Sequence, residues 1–397
     1  MEMPDPRTPS EVPDPMDFDL TEEQTELRDA IRRYLAAEVE PLVKEHEAAG
    51  TFPYELLPGL ARFGYLGGWL PEEQGGLGVS RVTWAMMIEQ LGYTWPSLRT
   101  MINISNGPLQ RIAAHGTPEQ KKRYLEPLLA GEARVFNGIT EPEVGSNVAE
   151  IRTKAELDGD TWVVNGRKLW ITGGAWGDFG TIVARTYSPT CDGGLSLFLV
   201  DKAESPFEVR KVDTMVLRST GTAELGFDGV RIPKGNLLGK EGHGLKSTLA
   251  GLGVARVNVA MGAVGAAQRA FDLSLEHAKT RTQFGRPIGS FQLVQKHLVE
   301  MKTRIDAARA LTYAAAAALD KGRPAKVEGS IAKLYATEAA HQVADMALQI
   351  HGGLGYATGY PIERIFRDTR GGTIPEGTSE IQTLIIGREL TGLSAIK

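Results

Sequence analysis

The pattern of apolar residues changes twice along this chain of 397 residues, and the two changes constrain its fold more than any other feature. From residue 18 to about 135, apolar residues recur at three- and four-residue steps, as in amphipathic helices. Short β-rich runs bounded by turn residues then extend over 136–243, and helical periodicity returns over 244–397. The sequence therefore predicts an α+β protein with an N-terminal helical domain, a middle antiparallel β-domain and a C-terminal helical bundle.

Local signals support each of these three regions. Thr21 followed by Gln24 forms the pattern of a capping box, which predicts that the first helix begins there. An Asp-Gly turn at Asp158-Gly159 and then the pair Asn165-Gly166 interrupt β-rich runs, a strong signal for a hairpin. Alanine-rich stretches in the last region allow close approach of helices and therefore favour a bundle.

Composition excludes several classes of protein. The net charge of −5 gives no basic surface for nucleic acid, and the seven histidines show no metal-ligand spacing. Cys191 is the single cysteine, so no disulfide can form within the chain, which fits a reducing, cytoplasmic compartment. No uninterrupted apolar run approaches the roughly 20 residues that span a bilayer, so no membrane partner is expected. Residues 1–17 are acidic and proline-rich, which predicts a disordered leader rather than a secretory signal.

Five short segments are hard to explain as core alone: TEPEVGSN (140–147), LWIT (169–172), RTQFGRPIGSFQ (281–292), QIHGG (349–353) and IPEGTSEIQ (374–382). Each has a structural explanation when taken singly, such as a glycine C-cap for QIHGG. In this order and on this architecture, they resemble the acyl-CoA dehydrogenase family of flavoenzymes over nearly the whole chain. The resemblance implies FAD, an acyl-CoA thioester substrate, a homo-oligomer that is usually a tetramer, and electron transfer to an electron-transferring flavoprotein.

The resemblance also assigns individual positions to the cofactor. The positions that it implies for FAD binding are Asn137, Ile139, Thr140, Gly145, Ser146, Trp170, Thr172, Arg281, Phe284, Gln292, Gln349, Gly353, Thr378 and Glu380. Those from 281 to 353 match positions that bind the FAD of the neighbouring subunit, so a dimer would be the smallest active unit. Family members often carry Asp or Gln at the positions held here by Asn147 and Glu380.

Glu376 matches the catalytic base of the family. Desaturation next to a thioester carbonyl requires a carboxylate that removes the α-proton while a hydride leaves the β-carbon. Pro375 and Gly377 flank this glutamate and restrict its backbone. The alternative is that Glu376 only favours the start of the last helix, where the helix dipole stabilises acids. A few family members place the base near the position of Arg256, but the segment GLGVARVNVA has no carboxylate there.

The resemblance implies that Ser146, Arg256 and Arg388 contact the acyl-CoA. Arg99, in the segment that corresponds to the helix lining the acyl pocket, leaves two alternatives open. An unpaired arginine in a fatty-acyl pocket is costly, so Arg99 either lies on an exposed helix face, which we favour, or binds a distal carboxylate of the substrate. Glutaryl-CoA dehydrogenases use an arginine in this region, and the ending IIGRELTGL is similar to theirs.

Three other functions are compatible with the same fold. A desaturase of acyl groups on an acyl-carrier protein would turn over a carrier-bound thioester but not the CoA ester. A flavin oxidase or monooxygenase would consume oxygen and generally lacks this glutamate. A non-catalytic scaffold would purify without colour.

Overall fold

The computed structural model describes residues 20–395, and the leader predicted for 1–17 lies outside the described residues. The helices are α1 (Glu22–Tyr34), α2 (Glu40–Ala49), α3 (Leu57–Arg62), α4 (Arg81–Thr94), α5 (Pro96–His115), α6 (Pro118–Gln120), α7 (Glu126–Ala130), α8 (Gly244–Ala250), α9 (Leu252–Thr280), α10 (Gln292–Asp320), α11 (Lys326–His351), α12 (Pro361–Gly371) and α13 (Ser379–Thr391). The strands are β1 (Val135–Gly138), β2 (Lys154–Asp158), β3 (Thr161–Ile171), β4 (Phe179–Ser188), β5 (Cys191–Asp201), β6 (Glu208–Lys211), β7 (Ala223–Pro233), β8 (Leu237–Leu238), β9 (Thr282–Gln283) and β10 (Arg286–Pro287). The order of helices, sheet and helices agrees with the fold class expected from the sequence. The Asp158-Gly159 pair does mark the turn between β2 and β3, but the hairpin turn expected at Asn165-Gly166 is wrong. These two residues lie within β3, where Gly166 follows a register shift in the pairing with β7.

The capping box expected at the start of α1 is present. The backbone N–H of Gln24 donates to the Thr21 hydroxyl, and the backbone N–H of Thr21 donates to the Gln24 side-chain oxygen. Both bonds satisfy N–H groups that a helix start leaves without a partner. The local pattern was therefore sufficient to place the first residue of this helix.

The central sheet is mixed, which corrects the expectation of a purely antiparallel domain. Its order is β6-β7-β3-β2-β4-β5-β8, with β1 also paired to β4. Most neighbours are antiparallel, but β1 and β2 each run parallel to β4, along different parts of the same edge. Neither β1 nor β2 is followed along the chain by β4, so a hairpin pattern in the sequence could not show these two pairings. The arrangement places the loop after β1 at the boundary between the sheet and the helices.

The two helical regions share one apolar core. Buried side chains from α1, α4 and α5 join those from α9, α10 and α11 in a single cluster, while a second cluster fills the sheet. Helices α4 and α9 approach so closely that a β-carbon added at Gly92 would lie 2.2 Å from the carbonyl oxygen of Gly262. One added at Gly265 would lie 2.1 Å from the carbonyl oxygen of Glu89. Glycine is therefore required where these backbones cross.

One helical segment, Gly244–Thr280, is long and apolar enough by length and composition alone to cross a membrane. Of its most apolar window, 59% is buried inside the protein, where α9 packs against α4, α10 and α11. The sequence expectation missed this segment because it counted uninterrupted apolar residues rather than mean hydropathy. This segment is therefore a core helix of the folded protein, like α4 and α11, against which it packs.

Candidate active site

A cavity of about 120 Å³ lies between α5, the end of β1, the segment that joins α8 to α9, and the turn before α13. Its lining residues are Trp69, Trp84, Asn103, Ile104, Asn106, Gly107, Gln110, Arg111, Ala114, His115, Asn137, Ile139, Ser247, Thr248, Gly251, Leu252, Val254, Ala255 and Glu376. Among these described residues, Glu376 is the only carboxylate. The cavity therefore combines apolar walls with one acid and several neutral polar groups.

Glu376 occupies a strained turn between α12 and α13. Its φ is +57°, a left-handed conformation that is unusual for a residue other than glycine. The Gln382 amide donates to the carbonyl oxygens of Glu376 and Gly377 at 3.0 and 2.9 Å, and the Lys333 ammonium donates to that of Gly377 at 2.9 Å. Strain of this kind persists where the surroundings fix it and is concentrated at functional sites.

The Glu376 side chain is also held in place. The Asn103 amide donates to its Oε1 at 3.2 Å. The backbone N–H of Glu376 donates no hydrogen bond within residues 20–395, so it is available to a ligand. The carboxylate thus lies at the cavity wall with its orientation fixed from α5.

The charge of Glu376 interacts with four cationic side chains: Arg99, Arg111, Arg256 and Lys333. Burial lowers the pKa of Arg99 and of Arg111 to about 10, and that of Lys333 to about 8, while the charge of Glu376 acts in the opposite direction. Burial also lowers the pKa of Arg256. The half-buried carboxylate of Glu376 faces four buried cations, of which Lys333 also interacts with Glu338 and Glu380. An anionic ligand in the cavity would offset the remaining positive charge of the three arginines.

A buried ion pair supports the loop that follows β1. The Lys168 ammonium donates to Oε1 of Glu141 at 2.8 Å and to the carbonyl oxygen of Ile139 at 3.2 Å. Glu141 also accepts the backbone N–H groups of Arg152 and Thr153. This network fixes the TEPEVGSN segment against the sheet, because both charges are buried and fully engaged.

Two aromatic side chains at cofactor positions are exposed on strained backbone. Trp170 has a φ of +61° and is 57% exposed, at an irregularity in the pairing of β3 with β7. Phe284 has a φ of +51° and is 93% exposed, in the hairpin between β9 and β10. Large apolar side chains held at a surface in this way are typical of groups that a ligand or partner covers.

The residues present fit FAD. The side chains of Ser146, Thr172 and Arg281 form no hydrogen bond with any residue of 20–395, so two hydroxyls and a guanidinium remain as donors. The exposed indole of Trp170 offers an aromatic face. A flavin requires stacking surfaces, and its diphosphate requires such donors.

The structure brings some of the predicted residues together and leaves others apart. Asn137, Ile139 and Glu376 meet at the cavity, and Arg256 is buried close enough to Glu376 to interact electrostatically with it. Thr140, Thr172 and Thr378 are half-buried, and the Thr378 hydroxyl caps α13. The exposed members of the predicted set are Gly145, Ser146, Trp170, Arg281, Phe284, Gln292, Gln349, Gly353, Glu380 and Arg388.

The favoured interpretation of Arg99 as a residue on an exposed helix face is wrong. Its side chain is 7% exposed and faces α9, where Nη1 lies 3.5 Å from Oδ1 of Asn258. Arg99 packs there because Gly262 has no side chain: a β-carbon at that position would lie 2.6 Å from Nε of Arg99. Arg99 is absent from the described lining of the cavity, so burial alone does not make it a pocket residue.

Sequence reasoning missed the polar residues that α5 contributes to the cavity: Asn103, Asn106, Gln110 and Arg111. Their spacing of three, four and one places them on one helical face, a signal that was present in the sequence. It also missed Lys333 and Gln382, which hold the turn of Glu376. These two residues had no recognisable pattern, because their partners are backbone atoms distant in the sequence.

A fold of helices, mixed sheet and helices, with a half-buried carboxylate at a cavity and exposed aromatic and polar groups that fit FAD, is consistent with a flavin-dependent oxidoreductase. Three family models match the chain: the N-terminal, middle and C-terminal domains of acyl-CoA dehydrogenase, over residues 21–132, 137–230 and 242–391. The chain belongs to the acyl-CoA dehydrogenase family. It is accordingly an FAD-dependent oxidoreductase that acts on the α,β carbon–carbon bond of acyl-CoA thioesters.

The chain is similar, over most of their length, to relatives named as reductases and to relatives named as dehydrogenases of acyl-CoA thioesters. Acryloyl-CoA reductase (NADH) of Anaerotignum propionicum is 38% identical, with 94% of this chain and 96% of the relative covered. The short-chain specific acyl-CoA dehydrogenase of Clostridium acetobutylicum is 35% identical, with 94% and 100% covered. A solved structure of a glutaryl-CoA dehydrogenase from Mycobacterium smegmatis in complex with FADH2 has a TM-score of 0.89 at 30% identity, with 95% and 97% covered.

Proposed function

We propose that Glu376 is the catalytic base that removes the α-proton of the acyl thioester. The observation that carries this proposal is that Glu376 is the only carboxylate among the described cavity-lining residues and is held there by a strained turn. His115 is the other lining residue whose side chain could accept a proton, but it is exposed and lies at the C-terminal end of α5. It is three turns of helix from Asn103, the residue that contacts Glu376.

Each neighbour of Glu376 contributes to the proton transfer. Asn103 orients the carboxylate, while Gln382 and Lys333 fix the backbone that carries it. The free backbone N–H of Glu376 is placed to donate to a thioester oxygen, which would stabilise negative charge as the α-proton leaves. FAD, when bound, supplies the acceptor for the β-hydrogen as hydride.

The cofactor positions assigned by resemblance remain our proposal for FAD binding. Ser146, Thr172 and Arg281 support it because their donors have no partner within the described residues. Phe284 supports a site shared between subunits, because an aromatic ring that is 93% exposed needs a covering surface. The smallest active unit would then be a dimer, and the assembly a homotetramer.

For the thioester, we propose contacts with Ser146, Arg256 and Arg388. Arg256 supports this because its Nε is buried without a partner among residues 20–395, and because its charge interacts with that of Glu376. Ser146 and Arg388 are exposed, as residues at the entrance for the CoA moiety would be. The assignment of Arg99 to substrate binding stays a prediction, and Arg111, which lines the cavity, is the alternative arginine for that role.

The electron acceptor and the compartment also belong to this proposal. We propose an electron-transferring flavoprotein as acceptor and a cytoplasmic location, in line with a chain that has one cysteine. Purified protein should reduce such a flavoprotein only in the presence of acyl-CoA. A carrier-protein thioester should be a poorer substrate than the CoA ester, because the family match favours CoA.

The reverse reaction is the second candidate function. The 38% identical relative is a reductase of acryloyl-CoA, and a base that takes an α-proton in one direction returns it in the other. Rates measured with a saturated thioester and an oxidised acceptor, and with an enoyl thioester and a reduced donor, would show which direction dominates.

The test of the base is the Glu376→Gln variant, compared with Glu389→Gln as a matched control. Glu389 lies on α13 and is paired with Lys326 at the surface, away from the cavity lining. The amide at 376 keeps the shape of the side chain but cannot accept a proton, so anaerobic flavin reduction by butyryl-CoA should slow by on the order of 10²–10⁴. The control should retain the wild-type rate. A Glu376→Gln variant with more than about a tenth of that rate would place the base elsewhere.

A further inference from the structure

We propose that Arg111 makes this enzyme selective for CoA thioesters whose short acyl chain ends in a carboxylate. The inference rests on the proposed function, because it places the acyl chain in the cavity beside Glu376. It concerns the far end of that chain rather than the reacting bond.

Arg111 and the contact to the base share one face of α5. Asn103, Gly107 and Arg111 are four residues apart in turn and all line the cavity. The guanidinium lies close to Gly107: a β-carbon there would be in van der Waals contact, 4.0 Å from Nη1 of Arg111 and 3.8 Å from Nδ2 of Asn137. The guanidinium therefore lies near the level of Gly107, about 6 Å along the helix axis from Asn103.

Arg111 forms no ion pair within residues 20–395, although its charge interacts with that of Glu376 at longer range. Its Nη1 donates to Oδ1 of Asn137 at 2.8 Å and to the Thr181 hydroxyl at 3.4 Å, and both of these groups are neutral. Among residues 20–395, neither Nε nor Nη2 has a hydrogen-bond partner, and no carboxylate lies within ion-pair distance. A buried cation in this state is costly. A carboxylate from the ligand would offset that cost, and the guanidinium fork can bind it through two parallel bonds.

Arg111 fits this role better than Arg99. Both side chains are buried and both interact electrostatically with Glu376, but only Arg111 lines the cavity. Arg99 points towards Asn258 and Gly262 of α9, and its Nε is buried without a hydrogen-bond partner among the described residues. The geometry therefore assigns anion recognition to Arg111 rather than to Arg99, about three helical turns further along α5.

The position of the guanidinium also limits the length of the acyl chain. One helical turn separates the level of Arg111 Nη1 from Asn103, which contacts the base. A thioester with its α-carbon at Glu376 would reach the guanidinium with only a few further carbons, since one turn rises about 5.4 Å. Chains of five or six carbons with a terminal carboxylate are the appropriate probes.

The first test uses the wild-type holoenzyme. Glutaryl-CoA is compared with valeryl-CoA, and adipyl-CoA with hexanoyl-CoA, so that each pair has equal chain length and differs in the terminal carboxylate. We expect kcat/KM to favour at least one carboxylated member by about 30-fold or more, a typical effect of a buried charge pair. Preference for the uncharged member in both pairs would overturn the inference.

The second test measures binding without turnover. In the Glu376→Gln holoenzyme, dissociation constants of glutaryl-CoA and valeryl-CoA are measured by calorimetry, so that the result does not depend on the identity of the base. Arg111→Met should remove the preference for glutaryl-CoA, and Arg111→Lys should restore part of it. If instead Arg99→Met removes the preference and Arg111→Met keeps it, the inference is wrong and Arg99 binds the carboxylate. If wild-type protein turns over neither thioester, the proposed function fails, while the binding ratio still decides the role of Arg111.

Discussion

At the scale of single residues, the site depends on how one carboxylate is held. Glu376 is fixed by a left-handed backbone, by two side chains that bind its turn, and by Asn103 at the carboxylate itself. Orientation of this kind matters because a proton acceptor displaced by about 1 Å can lose on the order of 10² in rate.

Asn103→Ala should therefore lower kcat by roughly tenfold or more, with a smaller change in KM, because the variant loses orientation rather than binding. Ser105→Ala is the matched control. Ser105 lies on the same helix, but its hydroxyl bonds to the carbonyl oxygen of Met101 and it is not among the cavity-lining residues. Steady-state kinetics with butyryl-CoA measures both variants. A kcat unchanged in Asn103→Ala would show that the turn alone positions the base.

Asp368 predicts a pH dependence of stability. Burial raises the pKa of Asp368 to about 7, with Glu47 acting in the same direction, although Oδ1 accepts the backbone N–H of Leu217. The folded protein then keeps a proton that the unfolded chain releases near pH 4, so stability from this group is complete below pH 4 and is lost as the pH rises to about 7. Asp368→Asn should remove this loss. Relative to wild type, it should gain roughly 1–4 kcal/mol between pH 4 and pH 8.

Thermal unfolding of both proteins across that range measures the difference. The variant keeps an acceptor for the Leu217 N–H, so the two proteins should have similar stability at pH 4. A difference in stability that stays constant from pH 4 to pH 8 would mean that Asp368 does not titrate in this window.

At the scale of elements, the crossing of α4 and α9 fixes two of the helices that contribute to the cavity, through Trp84 of α4 and Leu252 at the start of α9. Gly265→Ala should destabilise the protein by about 1–3 kcal/mol or more, because the added methyl group would overlap the backbone of α4. Gly387→Ala on α13 is the matched control, since a β-carbon there meets nothing within 4 Å. That control should be neutral or slightly stabilising through helix propensity. Chemical denaturation measures both, and equal stabilities would show that α9 can shift without cost.

Elements were predictable from the sequence to the extent that their signals are local. The capping box of Thr21 and the switches of periodicity were sufficient for α1 and for the order of helices and strands. The parallel pairing of β1 and β2 with β4 was not, because it depends on strands that are not consecutive. The spacing of polar residues along α5 was a local signal, but which of them reach the cavity depends on how α5 packs against other elements. Arg99 was therefore misplaced and Arg111 was missed.

At the scale of the whole molecule, the exposed hairpin between β9 and β10 predicts that cofactor binding and assembly depend on one another. Phe284→Ser should weaken both oligomerisation and FAD retention, because the ring would contact a neighbouring subunit. Met215→Ser, at a residue that is 61% exposed on another surface, is the control and should affect neither. Sedimentation and flavin absorbance at micromolar concentration measure both properties. An FAD-loaded monomer would contradict the shared site.

The most direct test of the central claim is exchange of the substrate α-hydrogen with solvent. Holoenzyme is incubated in D2O with a 3-thia-acyl-CoA, in which sulfur replaces the β-carbon so that no hydride can leave, and deuterium at the α-carbon is followed by mass spectrometry. Our account predicts that wild-type protein exchanges the α-hydrogen, that Glu389→Gln exchanges it at the same rate, and that Glu376→Gln does not. Exchange at the wild-type rate in Glu376→Gln protein that still binds the thioester would contradict the assignment of Glu376 as the base.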